Sequence, residues 1–345
     1  MMRRALALAE KGLYTATPNP RVGCVITQGE RIVGEGWHEK AGAPHAEANA
    51  LVAAGDRARG ATAYLNLEPC NHQGRTPACS EALVAATVAR VVAAVRDPNP
   101  VAAGGGERVA AAGIRFEHGL MQEEARELNL GFLSRMTRGR PWVRLKAAAT
   151  LDGRTALANG KSQWITGPEA RKDGHRWRAR ACAVLTGAGT VRADDPRLTV
   201  REVETRRQPL RVIVDSKLET PPGARILQGG NVLIFHAVKG LPPKGAEAAL
   251  LPNREGKVDL PKMLETLAQR GINELHVEGG FRLNGSLLAE GCVDELLLYV
   301  NPSVLGDSAQ GIFNLNEMHS LEGRVKFKIQ SVDLLGDDLR ILARL

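Results

Sequence analysis

Long apolar runs are missing from this chain, and nothing in it approaches the roughly 20 consecutive apolar residues that a bilayer crossing needs. Aromatic residues are scarce, 4% of 345. That weighs against a nucleic-acid binder, because base-stacking platforms place aromatic rings beside basic grooves. The formal net charge is +8, yet the basic residues are dispersed; the nearest clusters are Arg206, Arg207 and Arg211, and Arg135, Arg138 and Arg140. Small anionic ligands such as phosphate esters account for such a balance equally well. Cysteine is limited to Cys24, Cys70, Cys79, Cys182 and Cys292. An odd count in a chain of this size argues against a disulfide framework, and a close pair then points to metal binding or chemistry. Met1 to Lys11 lacks the apolar core and small-residue cleavage site of a secretion signal, so a cytoplasmic location is the default expectation.

What is present reads as ordinary globular protein, 43% hydrophobic and 24% charged. At roughly 100–200 residues per domain, the length predicts two domains, each able to bury its own core. The Gly/Pro-containing break Thr137-Arg138-Gly139-Arg140-Pro141 places the boundary, giving domains 1–138 and 139–345. In the first, helical spacing covers 2–13, a hairpin joins strands 22–27 and 31–37, and helix 45–54 precedes strand 62–67. Helix 79–86, strand 90–95, a further helix, strand 114–117 and helix 122–136 follow. That alternation predicts an α/β sandwich. In the second, strands are expected at 142–148, 183–187, 211–215, 231–235, 274–278 and 294–300, with helices at 168–179, 259–270 and 281–289 and a terminal hairpin over 325–333 and 339–344.

Three segments of the first domain bring metal-binding residue types to the edges of these elements. His45-Ala46-Glu47 opens a helix after Pro44, Glu68-Pro69-Cys70 closes a strand, and Cys79 starts the next helix. One imidazole and two thiolates suit zinc, and three protein ligands leave a fourth position for water, the arrangement of a catalytic site. A carboxylate two residues from the histidine, Glu47, can move that water's proton without binding the metal. Histidine-x-glutamate with a proline-preceded cysteine pair is the signature of hydrolytic deaminases of aminated rings. One departure stands out: eight residues, Asn71 to Ala78, separate the cysteines where two are usual. A structural zinc site would want a fourth ligand, for which His72 is the obvious spare.

Thr17-Pro18-Asn19-Pro20-Arg21-Val22-Gly23-Cys24, Pro44-His45-Ala46-Glu47 and the whole stretch Glu68 to Cys79 closely resemble the deaminase half of the bifunctional deaminase/reductase family of riboflavin biosynthesis. In that family the long loop between the thiolates is the rule. The resemblance covers nearly the whole chain and implies a cytidine-deaminase-like α/β/α sandwich at the N-terminus. The substrate it implies is a diaminopyrimidinone bearing a ribosylamino 5-phosphate, with no nucleic-acid or membrane partner. It further implies that Asn19 contacts the ring and that loop residues His72 to Thr76 approach the substrate. Cys24, on an apolar strand, reads as core.

In the second domain, Thr186-Gly187-Ala188-Gly189-Thr190 and Val277-Glu278-Gly279-Gly280 each follow a strand and open a helix, a setting for phosphate. Neither is a dinucleotide fingerprint, since Arg192 stands where a third glycine would be and no acidic residue follows at the right distance. These segments are similar to the reductase half of the same family, which implies a dihydrofolate-reductase-like α/β domain and NADPH. Carried over by motif, Ala148, Trp164, Thr190, Asp194 and the run Gly280, Phe281, Arg282, Leu283, Asn284, Gly285 and Ser286 would line the cofactor. Ser162, Arg178, Leu198, Arg201 and Glu278 would line the substrate; a guanidinium fork matches phosphate oxygens. The family also implies a homo-oligomer, dimer or tetramer. Two other readings stay in view: a nucleoside or tRNA-adenosine deaminase with an accessory nucleotide-binding domain, and a regulatory nucleotide-binding protein that keeps zinc for stability.

Overall fold

The computed structural model describes residues 1–73 and 77–345, and the chain divides into two compact units, Met1–Gly139 and Arg140–Leu345. Among the described residues no helix is long and apolar enough to cross a membrane.

The first unit runs α1 (Met2–Glu10), β1 (Gly23–Gln28), β2 (Arg31–Trp37), α2 (Ala46–Ala54), β3 (Thr62–Leu67), α3 (Cys79–Ala85), β4 (Arg90–Val95), α4 (Gly105–Ala111), β5 (Arg115–His118), α5 (Gln122–Leu128) and α6 (Leu130–Arg138). Its sheet has the order β2-β1-β3-β4-β5, antiparallel through β3 and parallel beyond, as the β3–α3–β4 crossover requires. Side chains alternate across this sheet. Cys24, Ile26 and Leu65 join the cluster of α2, α3 and α4, while Val25, Val92 and Ala94 join that of α1, α5 and α6. The result is an α/β/α sandwich, with Cys24 in its core.

Two glycines let α2 sit directly on β2. A Cβ on Gly36 would stand 2.4 Å from the Ala46 carbonyl oxygen, and one on Gly34 would stand 2.2 Å from that of Ala50. Side chains at either place would push the helix off the sheet.

The single helix expected over 122–136 is two helices, broken at Asn129. The Asn129 side chain accepts from the Arg21 N–H at 2.8 Å and donates to the Arg21 carbonyl at 2.9 Å. The Arg21 guanidinium meanwhile donates to the Leu128 carbonyl at 2.7 Å, an acceptor that a continuous helix would need for itself. Smaller differences are that the first helix ends at Glu10 rather than near residue 13, and the strand expected at 114–117 lies one residue later.

The second unit comprises β6 (Trp142–Thr150), β7 (Arg154–Ala156), α7 (Pro168–Arg180), β8 (Ala183–Gly187), α8 (Ala188–Asp194), β9 (Leu210–Val214), β10 (Val232–His236), β11 (Glu247–Leu250), α9 (Leu260–Gln269), β12 (Glu274–Val277), α10 (Phe281–Ala289), β13 (Glu295–Asn301), β14 (Gln310–Gly311), β15 (Lys328–Leu335) and β16 (Asp338–Arg344). Nine strands form one sheet, β11-β10-β9-β8-β12-β6-β13-β16-β15, parallel up to β13 and closed by the antiparallel C-terminal hairpin. Val143, Leu145, Leu275 and Val277 pack with α9 and α10 in one core. Alternate residues of the same strands are charged. Arg144, 1% exposed, pairs with Glu274 at 3.1 Å and with Glu295, and its guanidinium lies 4.2 Å from the ring of Trp177 on α7.

Candidate active site

In the first unit three element ends converge. His45 is the N-cap residue of α2, held by the close seating of that helix on β2; β3 delivers Cys70 just past its end; Cys79 opens α3. Cys70 Sγ lies 3.6 Å and Cys79 Sγ 3.3 Å from His45 Nδ1, and all three donor atoms fall within 4.8 Å of one another. A tetrahedral zinc with bonds of about 2.1 Å to nitrogen and 2.3 Å to sulfur separates those two donor types by about 3.6 Å. The spacing and the donor set therefore fit one such ion with a fourth position left for water. The hydrogen bond from Cys79 pulls the Cys70 thiol down to about 4 against its burial, and His45 assists; the same bond and burial push Cys79 up.

Glu47 is 3% exposed, in the first turn of α2. Burial, then the charge of Cys70, raises its carboxyl to about 7, the range in which a carboxyl group both takes and gives a proton near neutrality. It lines a cavity of about 330 Å³ together with Asn19, His38, His72, Phe132 and Arg135. Asn19 and His72, both expected near the substrate, are thus brought to one cavity; Gly74, Arg75 and Thr76, from the same expected loop, lie outside the described residues.

Sequence reasoning missed His38. It is buried just past β2, with Nδ1 3.1 Å from the Pro44 carbonyl and Nε2 3.0 Å from the Asn19 amide nitrogen. The carbonyl needs a donor and the amide nitrogen offers one, so the ring is neutral with its proton on Nδ1; burial lowers its pKa, in keeping with that. His38 thereby ties Asn19 to the residue preceding His45. Glu68 is a second omission. Its buried carboxylate accepts from the Asp97 N–H at 3.0 Å and the Gly106 N–H at 2.7 Å, fixing the segment whose Asn99 and Ala102 line the cavity.

In the second unit, Arg178 on α7 grips Glu278 beyond β12 with both Nε and Nη2, the latter at 2.8 Å. Its Nη1 and that of Arg201 both donate to the Thr199 carbonyl, at 3.2 and 3.3 Å, so two guanidinium groups converge on one spot. Burial would raise the Glu278 carboxyl, but Arg178, then Lys146 and His276, hold it well below its usual range. Burial lowers Lys146, a cation in an otherwise apolar part of β6 and the sequence signal that would have added it to the site. His276 is fully buried, 3.5 Å from Glu278, and neither ring nitrogen meets a hydrogen-bond partner among the described residues.

Residues expected around a cofactor fall into two sets. Gly280 caps α10, and the Cβ it lacks would lie 3.4 Å from Thr190 Oγ1, so backbone and hydroxyl share one cradle; Leu283 packs over Gly187 and Gly279. Asp194 closes α8, its pKa raised by burial and drawn back by a hydrogen bond from Ser162. Ala148 lies on β6 beside Tyr299, and Trp164 is 72% exposed beneath the Arg171 guanidinium. Phe281, Arg282 and Ser286 belong to α10, with Arg282 over the Phe281 ring. The second set turns elsewhere: Asn284 donates to the Ile312 carbonyl at 3.2 Å, and a Cβ on Gly285 would collide with the backbone of Asn314. Leu198, expected at the substrate, is buried in a core cluster.

Comparison with known proteins matches both units. Residues 1–95 fit the model of the cytidine and deoxycytidylate deaminase zinc-binding region, and residues 141–341 fit that of the RibD C-terminal domain. The chain is 46% identical to riboflavin biosynthesis protein RibD of Escherichia coli, covering 98% of this chain and 96% of that one. It is 43% identical to the Haemophilus influenzae protein of the same name, over 99% of this chain and 95% of that one. Among solved structures it superposes on Acinetobacter baumannii RibD with a TM-score of 0.93 at 43% identity, and on a Thermotoga maritima diaminohydroxyphosphoribosylaminopyrimidine deaminase/5-amino-6-(5-phosphoribosylamino)uracil reductase with 0.90 at 34%; each pair covers 99% of this chain and 97% of the other. From full-length identity at this level, from both family models and from a histidine and two cysteines set at zinc spacing, the chain belongs to the RibD family of riboflavin biosynthesis proteins.

Proposed function

We propose that the first unit hydrolytically deaminates 2,5-diamino-6-(5-phosphoribosylamino)pyrimidin-4(3H)-one and that the second reduces the ribosyl group of the product to a ribityl chain. The observation that carries this is the His45, Cys70 and Cys79 donor set with buried Glu47 in the same cavity, on a chain whose other unit matches the RibD reductase model. The long thiolate loop and that second unit count against a nucleoside or tRNA-adenosine deaminase.

Zinc held by those three donors supplies the Lewis acidity that brings a water towards neutral pKa. Glu47, with its carboxyl near neutrality, takes the water's first proton and gives it to the ring nitrogen as the oxygen bonds to the ring carbon; it then takes the remaining proton of that oxygen and gives it to the amine, so that the C–N bond breaks, the carbonyl forms and ammonia leaves. Asn19, held by His38, orients the ring. In the second unit NADPH, when bound, would supply hydride for C1 of the sugar. The cradle of Gly280 and Thr190 would hold the cofactor, and Arg178 and Arg201, converging beside Glu278, would hold the sugar phosphate. The C-terminal hairpin exposes Ile329, Val332 and Leu334 on the sheet's edge strand, an apolar strip in keeping with a homo-oligomer.

Glu47→Gln is expected to lower ammonia release by about 10²–10⁴-fold while zinc stays near one per chain and NADPH oxidation with supplied deaminated intermediate persists. Full ammonia release by this variant would refute the deaminase assignment, and failure of the wild type to reduce the supplied intermediate would refute the reductase.

A further inference from the structure

Side chains of β12 alternate between two surroundings. Leu275 and Val277 pack with α9 and α10, while Glu274, His276 and, just past the strand, Glu278 lie on the other face. On that polar face Glu274 accepts from Arg144 at 3.1 Å and from Arg180 at 2.7 Å, and Glu278 accepts from Arg178. His276, between them, is fully buried, yet neither ring nitrogen meets a hydrogen-bond partner among the described residues. Its Nε2 lies 3.5 Å from Glu278 Oε1, about 0.5 Å beyond an ordinary N–H···O bond. A carboxylate faces Nε2, so that nitrogen carries the proton. A buried donor left idle costs stability, and this one is aimed at a residue of the reductase site.

Arg178 has every nitrogen committed. Nε and Nη2 hold Glu278, and Nη1 holds the Thr199 carbonyl at 3.2 Å. A guanidinium that also grips the sugar phosphate, as proposed above, must withdraw donors from Glu278. Among the described residues, the basic side chains with a nitrogen within 4 Å of the Glu278 carboxylate are Arg178 and His276. We propose that His276 is a positioning residue of the reductase: its Nε2–H takes hold of the Glu278 carboxylate as Arg178 turns to the phosphate, so that Glu278 keeps one orientation beside the sugar. The proposal rests on the reductase reading above. A neutral imidazole suits this task, because it donates to a carboxylate without competing as a cation for the phosphate. Burial keeps the ring neutral; Glu278 favours its protonated form, and Arg144 and Lys146 on β6 and Arg178 on α7 oppose it. β8, the other neighbouring strand, carries no charge.

The test is NADPH oxidation with supplied deaminated intermediate, followed across pH. The charges that act on Glu278 are Arg178, Lys146 and His276, with His175 and Arg201 as further neighbours. In His276→Leu, kcat is expected to fall by about tenfold or more, the size of a lost hydrogen bond to a charged group, with little change in KM. The acid limb of kcat should rise by about one pH unit, because the carboxylate has lost a donor in the substrate complex. The limb of kcat/KM, which reports the free enzyme with Arg178 still on Glu278, should stay where it is. His276→Gln keeps an N–H near the place of Nε2 and should restore both kcat and its limb. The position of a limb does not depend on how much protein is folded, so an unstable variant still reports. An acid limb of kcat unmoved in His276→Leu would overturn the inference and leave His276 as a packing residue, as would His276→Gln behaving like His276→Leu. If the wild type failed to oxidise NADPH with the supplied intermediate, the reductase reading itself would fall and this inference with it.

Discussion

Replacing Gly36 with alanine should separate zinc binding from the rest of the molecule. The added Cβ would stand 2.4 Å from the Ala46 carbonyl oxygen, 2.5 Å from Ala50 N and 2.7 Å from Asn49 Cβ, where ordinary contact begins at 3.4 Å. Backbone is in the way, so β2 and α2 must part by about 1 Å. His45 adjoins Ala46, and metal sites tolerate ligand shifts of only about 0.2 Å. Zinc retention against a chelator should therefore fall sharply, and deamination should drop by about 100-fold, the typical loss for a 1 Å misplacement. Overpacking should also cost about 1–3 kcal/mol of stability in the first unit. Gly34→Ala is the matched comparison. Its Cβ would strike Ala50 and Ala54, one turn and more from His45, so stability should suffer similarly and zinc less. The assay is zinc content after dialysis against a chelator, ammonia release, and NADPH oxidation with supplied intermediate as the internal standard for the second unit. Wild-type zinc retention and ammonia release in Gly36→Ala would refute the argument that helix seating places the ligand.

Two further outcomes concern the second unit. Burial holds His276 neutral, its pKa pushed down to about 3. Between that value and the ordinary 6.5 the unfolded chain binds a proton that the folded one does not, so stability should fall as pH drops through this window, by up to about 1.4 kcal/mol per pH unit from this residue. His276→Leu should flatten that slope in urea titrations at pH 4–6.5, and an unchanged slope would show that His276 does not cause it. Gly174 sits inside α7, and a Cβ added there would have nothing within 4 Å, so Gly174→Ala should stabilise the unit by about 0.5–1 kcal/mol, seen as a rise of a few degrees in its melting temperature; a fall would mean α7 needs glycine there.

Much of the molecule was legible because its signals are local. Short runs of strand-forming residues bounded by turn signals marked β1 to β4, and Pro44, Pro69 and the cysteines marked the element ends that carry the ligands. What escaped depends on partners far away in sequence. Nothing near Asn129 announces a helix break, since the cause is Arg21, reached only through the fold. His38 looked like an ordinary residue after a strand until the topology set it between Pro44 and Asn19. β11 is a short, partly exposed stretch at the sheet edge, with too little apolar periodicity to stand out. Lys146 was visible as a charge at the start of the apolar run Ala147 to Ala149, but its meaning needed Glu278 and Arg178 beside it.

The pairing of Arg21 with Asn129 bears on the order in which the protein is made. These residues are 108 positions apart, and synthesis runs from the N-terminus. His45, Cys70 and Cys79 have all left the ribosome before Asn129, Phe132, Arg135 and Met136 are added. A nascent chain therefore owns its complete set of metal donors while one wall of the substrate cavity has yet to be translated. Contacts this distant in sequence form late, so the growing protein can meet its metal before it can meet its substrate.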